Sequence, residues 1–168
     1  MPEAPILRYP HPLLKQRCRE LSPGDEPDLV GRAAADLVDT MRGQPRCVGL
    51  AAPQIGHALR LVAVDCTGHR KADSCHGLLV LVNPVIVRAD GDELGREGCL
   101  SIPDLTANVR RATLVVVEAV TLEGEPVAIE SNAFEARVLQ HELDHLDGVL
   151  FLDRIASRQD LFHRRSYG

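Results

Sequence analysis

The chain has 168 residues, of which 45% are hydrophobic and 26% charged, with a formal net charge of −5. These proportions sit near a globular average and exclude disordered, collagen-like and coiled-coil chains. The acidic balance argues against general nucleic-acid binding and predicts no specific DNA binding.

The length is that of one domain, since domains run to about 100–200 residues. Residues 1–168 are therefore expected to form a single domain, large enough to bury roughly 70% of its unfolded surface without disulfides. The five aromatic residues are three Phe and two Tyr, so the core must come from Val, Leu, Ile and Ala. The N-terminal stretch MPEAPILRYPHPLLK contains prolines and Glu3 and lacks a signal-peptide apolar core. No run approaches the ~18–20 apolar residues of a membrane span. The expectation is a cytoplasmic protein with no membrane partner.

The first predicted element is a helix over Asp28–Arg42. Leu29, Val30, Ala33, Ala34, Leu37, Val38 and Met41 recur at helical spacing. Pro27 and Asp28 mark its start and Gly43 its end. Short β-branched and leucine-rich runs follow at Leu59–Asp65 and Leu78–Asn83. Pro84 interrupts the pattern before Val85–Val87. Thr113–Thr121 and Pro126–Glu130 read as two strands joined by a turn at Glu123-Gly124. Consecutive strands without intervening helices predict mostly antiparallel pairing and an α+β fold.

A second helix is predicted from Ala133 to about Asp147. Asn132 and Glu135 fit a capping box, and Gly148 fits the residue past its end. At 100° per residue, Phe134, Val138, His141 and His145 fall within ~60° of one another. Ala136, Leu139, Leu143 and Leu146 lie opposite. A helix apolar on both sides is packed on both sides, which predicts a central helix between sheets with two histidines facing inward.

That helix carries His141-Glu142-Leu143-Asp144-His145, an HExxH pattern. Histidines at i and i+4 stack one turn apart and can reach one metal, with Glu142 beside it as a base. A catalytic zinc-type site needs a third ligand and an open position. Only His163 follows the motif downstream, so the ligand is sought upstream, where a cysteine is a candidate. Glu97-Gly98-Cys99-Leu100-Ser101 supplies one. Most free cysteines are small buried apolar residues, so Cys99 alone is ambiguous. The segment Gly49-Leu50-Ala51-Ala52-Pro53-Gln54-Ile55-Gly56 is rich in small residues that allow close backbone approach, and Gln54 offers an amide to an oxyanion.

Together GLAAPQIG, EGCLS and QHELDHLDG, in this order, resemble the three signature motifs of the peptide deformylases. The flanking ILRYPHPLL and GVLFLDRI resemble that family too, so the likeness spans nearly the whole chain. The resemblance implies a hydrolase that removes the N-formyl group from the initiator methionine of nascent polypeptides. It implies an α+β fold with sheets around a central helix. It also implies one divalent cation held by Cys99, His141 and His145. Ferrous iron is the usual ion, with Zn2+, Ni2+ or Co2+ as substitutes. Glu142 matches the general base, Gln54 and the Leu100 backbone N–H the oxyanion donors, and Gly49 a backbone contact to substrate. Phe134 and Val138, on the histidine face, are candidates either for an apolar methionine pocket or for core packing. Arg111 matches a family arginine that pairs with Glu97 as structural support.

One position departs from the pattern. The first motif usually begins Gly-x-Gly, and here Cys47 replaces the first Gly. A left-handed backbone at Cys47 would be strained; any other leaves a thiol near the cleft.

Competing readings are an HExxH metallopeptidase, a cysteine amidohydrolase using Cys99, a non-enzymatic metal-binding module and a low-activity paralogue. The missing downstream ligand and the Cys-bearing segment count against the first. A metal-bound thiolate is not free to attack, which counts against the second. Cys66, His69, Cys75 and His76 form a Cys/His-rich stretch whose spacing fits no standard zinc site, and a hairpin loop is expected there. The segment from Arg154 to Gly168 is basic. It offers either a ribosomal RNA contact or a solvated helix or frayed end.

Overall fold

The computed structural model describes residues 3–155 and 157–164. Helix α1 spans Pro27–Gly43, with proline in its first turn and Asp28 near the positive N-terminal end. Its stripe of Val30, Ala33, Ala34, Leu37 and Met41 is buried. The stripe packs with Leu50, Ala52, Leu61 and Ala63.

The strands are β1 (Gly49–Ala51), β2 (Leu61–Asp65), β3 (Leu78–Asp90), β4 (Glu93–Cys99), β5 (Ile102–Arg111), β6 (Leu114–Val120), β7 (Pro126–Asn132) and β8 (Leu161–His163). They form a five-stranded sheet ordered β1-β2-β3-β6-β7 and a three-stranded sheet ordered β4-β5-β8. All strand pairings within the two sheets are antiparallel.

Three sequence readings are corrected here. Pro84 does not separate two strands: β3 runs through it. The register shifts between Val82 and Val85, and Asn83 takes φ 52°. A bulge of this kind absorbs a residue without an N–H. The Asn83 side chain instead bonds the Leu21 backbone at both N–H and C=O.

The expected capping box between Asn132 and Glu135 does not form. Asn132 Oδ1 accepts from the Ser74 N–H at 2.9 Å. Glu135, fully buried, accepts from Ser131 Oγ, Ser74 Oγ and the His76 N–H. Burial raises its pKa, but these donors outweigh it and hold the carboxyl below its ordinary value. Finally, the described part of the C-terminal stretch holds an exposed 3-10 turn at Arg158–Asp160 and is not frayed after it. Residues 161–163 add β8 to the edge of β5.

Helix α2 spans Ala133–Leu146. Ala136, Leu139, Leu143 and Leu146 join Val62, Val64, Val115 and Val117 in a core under the five-stranded sheet. On its other side His141 meets Glu97 of β4 and stacks near Phe151. Phe151 belongs to a core with Cys99, Ile102 and Val109. The helix thus has partners on both sides, although Val138 and Phe134 of the histidine face pack with the first of these cores.

Its C-terminal end is closed by the buried Arg60, which donates to the Leu146 carbonyl and to Asp147 Oδ1, each at 2.9 Å. A cation at a helix C-terminus is favourable. Gly148 then turns away with φ 73°; a Cβ there would lie 2.6 Å from the Lys15 carbonyl. No helix among the described residues is long and apolar enough to cross a membrane.

Candidate active site and metal centre

A strand and a helix deliver the donors. Strand β4 ends in Cys99, and α2 presents His141 and His145 one turn apart. One ligand atom from each lies within 4.8 Å of the other two, and all three residues are buried. The Cys99 Sγ to His145 Nε2 distance is 3.4 Å. A tetrahedral ion with bonds of about 2.0–2.3 Å has ligand–ligand edges of about 3.5 Å. One soft sulfur and two imidazoles also form a donor set suited to first-row divalent metals.

The orientation of His141 is fixed from behind. Its Nδ1 lies 2.8 Å from Glu97 Oε1. A carboxylate only accepts, so Nδ1 carries the proton and Nε2 is left as the ligand atom. Burial disfavours a charged ring, but Cys99 and Glu97 beside it raise the His141 pKa well above its ordinary value. Proton and metal therefore compete for Nε2. His145 goes the other way: burial and the neighbouring His141 hold it well below its usual range, neutral and ready to ligate.

Glu97 is the hub of a charge network that chain position alone does not display. Arg111 binds it with two parallel N–H···O bonds of 2.9 and 3.0 Å, and Arg137 adds a third at 2.8 Å. Arg111 also reaches Asp144 at 2.6 Å, and Arg154 closes the chain on Asp144. Burial opposes ionisation of Glu97, yet His141 and Arg111 hold its pKa far below the ordinary 4.5.

Glu97→Ala leaves Arg111 and Arg137 short of a buried partner and frees the His141 ring. Breaking a buried pair on one side costs about 3–5 kcal/mol. We expect a melting temperature lower by about 10 °C or more and weaker metal retention. A variant with wild-type melting would overturn this. Because the folded pKa is depressed, the stabilisation is present above pH 4.5. It is lost as pH falls below that value. The stability gap between wild type and variant should therefore shrink in acid.

Glu142 is 4% exposed, and its Oε2 has no hydrogen-bond partner among the described residues. Burial, then the charge on Glu97, push its pKa up to about 7 against the pull of His141 and Arg111. Such a carboxylate is poised to exchange a proton near neutrality. Gln54 lies on the 3-10 turn Ala52–Ile55 after β1. The Ala51 N–H donates to its Oε1 at 3.0 Å, which aims Nε2 at Ser101 Oγ (3.1 Å) and Cys99 Sγ (3.4 Å).

A cavity of about 520 Å³ opens over these groups. Gly49, Gln54, Leu100, Phe134, Val138 and Glu142 all border it, so every predicted non-ligand site residue is brought to one place. At Gly49 an added Cβ would lie 2.7 Å from Val138 Cγ1 and 3.0 Å from Glu142 Cγ. Only glycine lets β1 approach α2 this closely. The left-handed residue next to the first motif is Arg46 (φ 61°), not Cys47. Cys47 borders the cavity and its thiol donates to the Gly49 carbonyl at 3.2 Å. Burial and the nearby Glu142 push that thiol up to about 12, so it stays protonated.

The Cys/His-rich stretch assembles no metal cluster among the described residues. Ser101, Arg137, Asp144 and Arg154 escape sequence reading because their partners are remote in the chain.

The polypeptide deformylase family model matches residues 3–160. A peptide deformylase of Desulforudis audaxviator is 44% identical over 150 residues, covering 89% of this chain and 91% of that protein. The class I type b peptide deformylase of Acinetobacter baumannii, bound to K3U, superposes with a TM-score of 0.85 at 34% identity. That match covers 92% of this chain and all of the other. The same enzyme bound to Met-Ala-Ser gives a TM-score of 0.84 at 33% identity, with the same coverage. With its fold, its Cys-His-His cluster and its sequence all matching, this chain belongs to the polypeptide deformylase family of metal-dependent hydrolases.

Proposed function

We propose that residues 1–168 act as one catalytic domain that removes the N-formyl group from the initiator methionine of nascent chains. The observation that carries the assignment of roles is the convergence of Cys99, His141 and His145 beneath a cavity bordered by Glu142. Cys99, His141 and His145 would hold one divalent cation. Ferrous iron is the ion proposed in the cell, and Zn2+, Ni2+ or Co2+ suit the same donors. When bound, the cation supplies Lewis acidity that polarises the formyl oxygen and acidifies water.

The chain's own groups do the rest. Glu142 takes a proton from the attacking water as its oxygen bonds the formyl carbon. Gln54 Nε2 and the Leu100 N–H donate to the formyl oxygen as negative charge builds there. Glu142 then delivers the proton to the departing amine, the C–N bond breaks and formate leaves. The Gly49 backbone aligns the peptide, and Phe134 with Val138 encloses the methionine side chain. The A. baumannii relative was crystallised with Met-Ala-Ser bound, which supports a substrate that begins with methionine.

The direct test is formate release from formyl-Met-Ala-Ser by protein purified without oxygen, together with metal analysis. Formate should appear in step with bound metal and disappear with chelator. Cleavage of an internal bond in an unformylated peptide would favour a metallopeptidase instead.

A nascent-chain substrate and reduced thiols fit a cytoplasmic site of action. A ribosome contact through the basic C-terminal stretch rests on Arg158 and Arg164, which are exposed. Arg154 is already committed to Asp144, and Arg165 lies outside the described residues. Reversing both charges (Arg158→Glu with Arg164→Glu) should lower cosedimentation with ribosomes. Unaltered cosedimentation would remove the contact.

A further inference from the structure

The Cys/His-rich stretch between β2 and β3 holds no metal cluster, yet it reaches the substrate cavity at one point. The His69 ring lies flat on Phe134, with centroids 3.9 Å apart and planes 10° from parallel. Phe134 is the second residue of α2 and borders the cavity. It is half-buried and packs at the edge of the main apolar core, so its outer face is left for His69 to cover.

His69 is restrained in turn. Its Nδ1 accepts from the Lys71 N–H at 3.2 Å, and the His69 backbone N–H donates to the Cys66 carbonyl at 3.0 Å. Burial and the adjacent Lys71 and Arg70 lower its pKa, so the stacking ring is neutral.

The stretch is tied to the start of α2 by further bonds. Asn132 Nδ2 donates to Asp73 at 3.0 Å. Ser74 Oγ donates to Glu135 Oε1 at 3.0 Å, and the His76 N–H to Glu135 Oε2 at 2.9 Å. His76 Nδ1 sits 2.6 Å from Oε1 of the same carboxylate. These anchors place residues 69–76 as a fixed backing behind one wall of the cavity.

We propose that His69 is a positioning residue for substrate selection: it pins the Phe134 wall of the methionine pocket and so sets preference for the first side chain. This rests on Phe134 lining that pocket. A stacked ring pair contributes a small free energy, which corresponds to about three- to tenfold in an equilibrium constant. His69→Ala should raise KM for formyl-Met-Ala-Ser by about that factor, while kcat moves by less than about twofold. The kcat/KM ratio of formyl-Met-Ala-Ser to formyl-Ala-Ala-Ser should fall by the same factor. His69→Phe, which keeps a flat ring, should restore it. In a Phe134→Ala background, His69→Ala should change the ratio no further.

Metal content and melting temperature, read alongside, separate a shifted wall from a damaged fold. An unchanged ratio in His69→Ala, or no recovery in His69→Phe with the fold intact, overturns the proposal. Wild-type protein that deformylates without preferring methionine overturns the pocket and the role of His69 together. Absence of any deformylation by metal-loaded wild type would instead sink the functional reading itself.

Discussion

Glu142→Ala is expected to lower kcat for deformylation by about 10²–10⁴, the usual contribution of a positioned acid–base group, while the protein keeps its metal. The carboxylate borders the cavity, is 4% exposed, and has one oxygen without a partner among the described residues. Burying an unpaired charged group is costly, and the rise of its pKa to about 7 records that cost. Sites of this kind trade stability for activity. The alanine variant should therefore melt at the same temperature as metal-free wild type or higher. Lost activity with undiminished stability would exclude simple misfolding. Near-normal turnover in a metal-loaded variant would remove Glu142 as the base. The sign of the pH effect follows from the raised pKa: the carboxyl accepts protons when ionised, so activity should rise with pH. A cation held by the adjacent histidines lowers the pKa, which places the midpoint of the metal-loaded enzyme below 7.

The second large effect is expected at Cys99. Cys99→Ala leaves two imidazoles to hold the cation and removes the only anionic donor of the cluster. Metal occupancy should fall to below about a tenth of wild type in stoichiometric metal, and deformylation should fall with it. The fold is expected to survive, because Cys99 also sits in an apolar cluster with Ile102, Val109, Leu150 and Phe151, where a small residue is tolerated. Metal analysis on protein prepared without oxygen separates the outcomes. Full occupancy would show that Cys99 is a bystander. Oxidising Cys99 in wild type should mimic the variant, since a thiolate, not a sulfenic or sulfonic acid, is the ligand.

The metal cluster and the His69 backing differ in how they are built. The cluster depends on Glu97, which ties β4 to α2 through His141 and to β5 through Arg111. This network keeps the ligand-bearing strand and the ligand-bearing helix in one register. Phe134, at the border of the cavity, is instead backed by a stretch outside all three motifs. On the proposed role of His69, variation in that stretch is expected to alter selectivity without touching the proposed metal ligands.

Runs of β-branched and leucine residues were enough for β2, β6 and β7, and helical periodicity was enough for α1 and α2. It was also enough to show that α2 is apolar on two sides, and Val62 and Val115 on one side with Phe151 on the other meet that expectation. Motif spacing predicted His141, His145 and Glu142 as neighbours, and only the family resemblance added Cys99 to them. Strands β4, β5 and β8 carry no such signal. β4 reads Glu-Leu-Gly-Arg-Glu-Gly-Cys, and its pairing with β5, not β-branched content, keeps it extended.

Only the tertiary structure decided which polar groups meet. Glu135 looked like a local cap, yet it is claimed by Ser74 and His76, about sixty residues away in sequence. Glu97 looked like the partner of one arginine, yet it also orients His141 of the candidate metal cluster. The physical reason is the range of the forces. Apolar burial imposes a repeat along the chain that a sequence displays. A buried charge is satisfied by whichever partner the fold carries to it, and no local pattern records that partner.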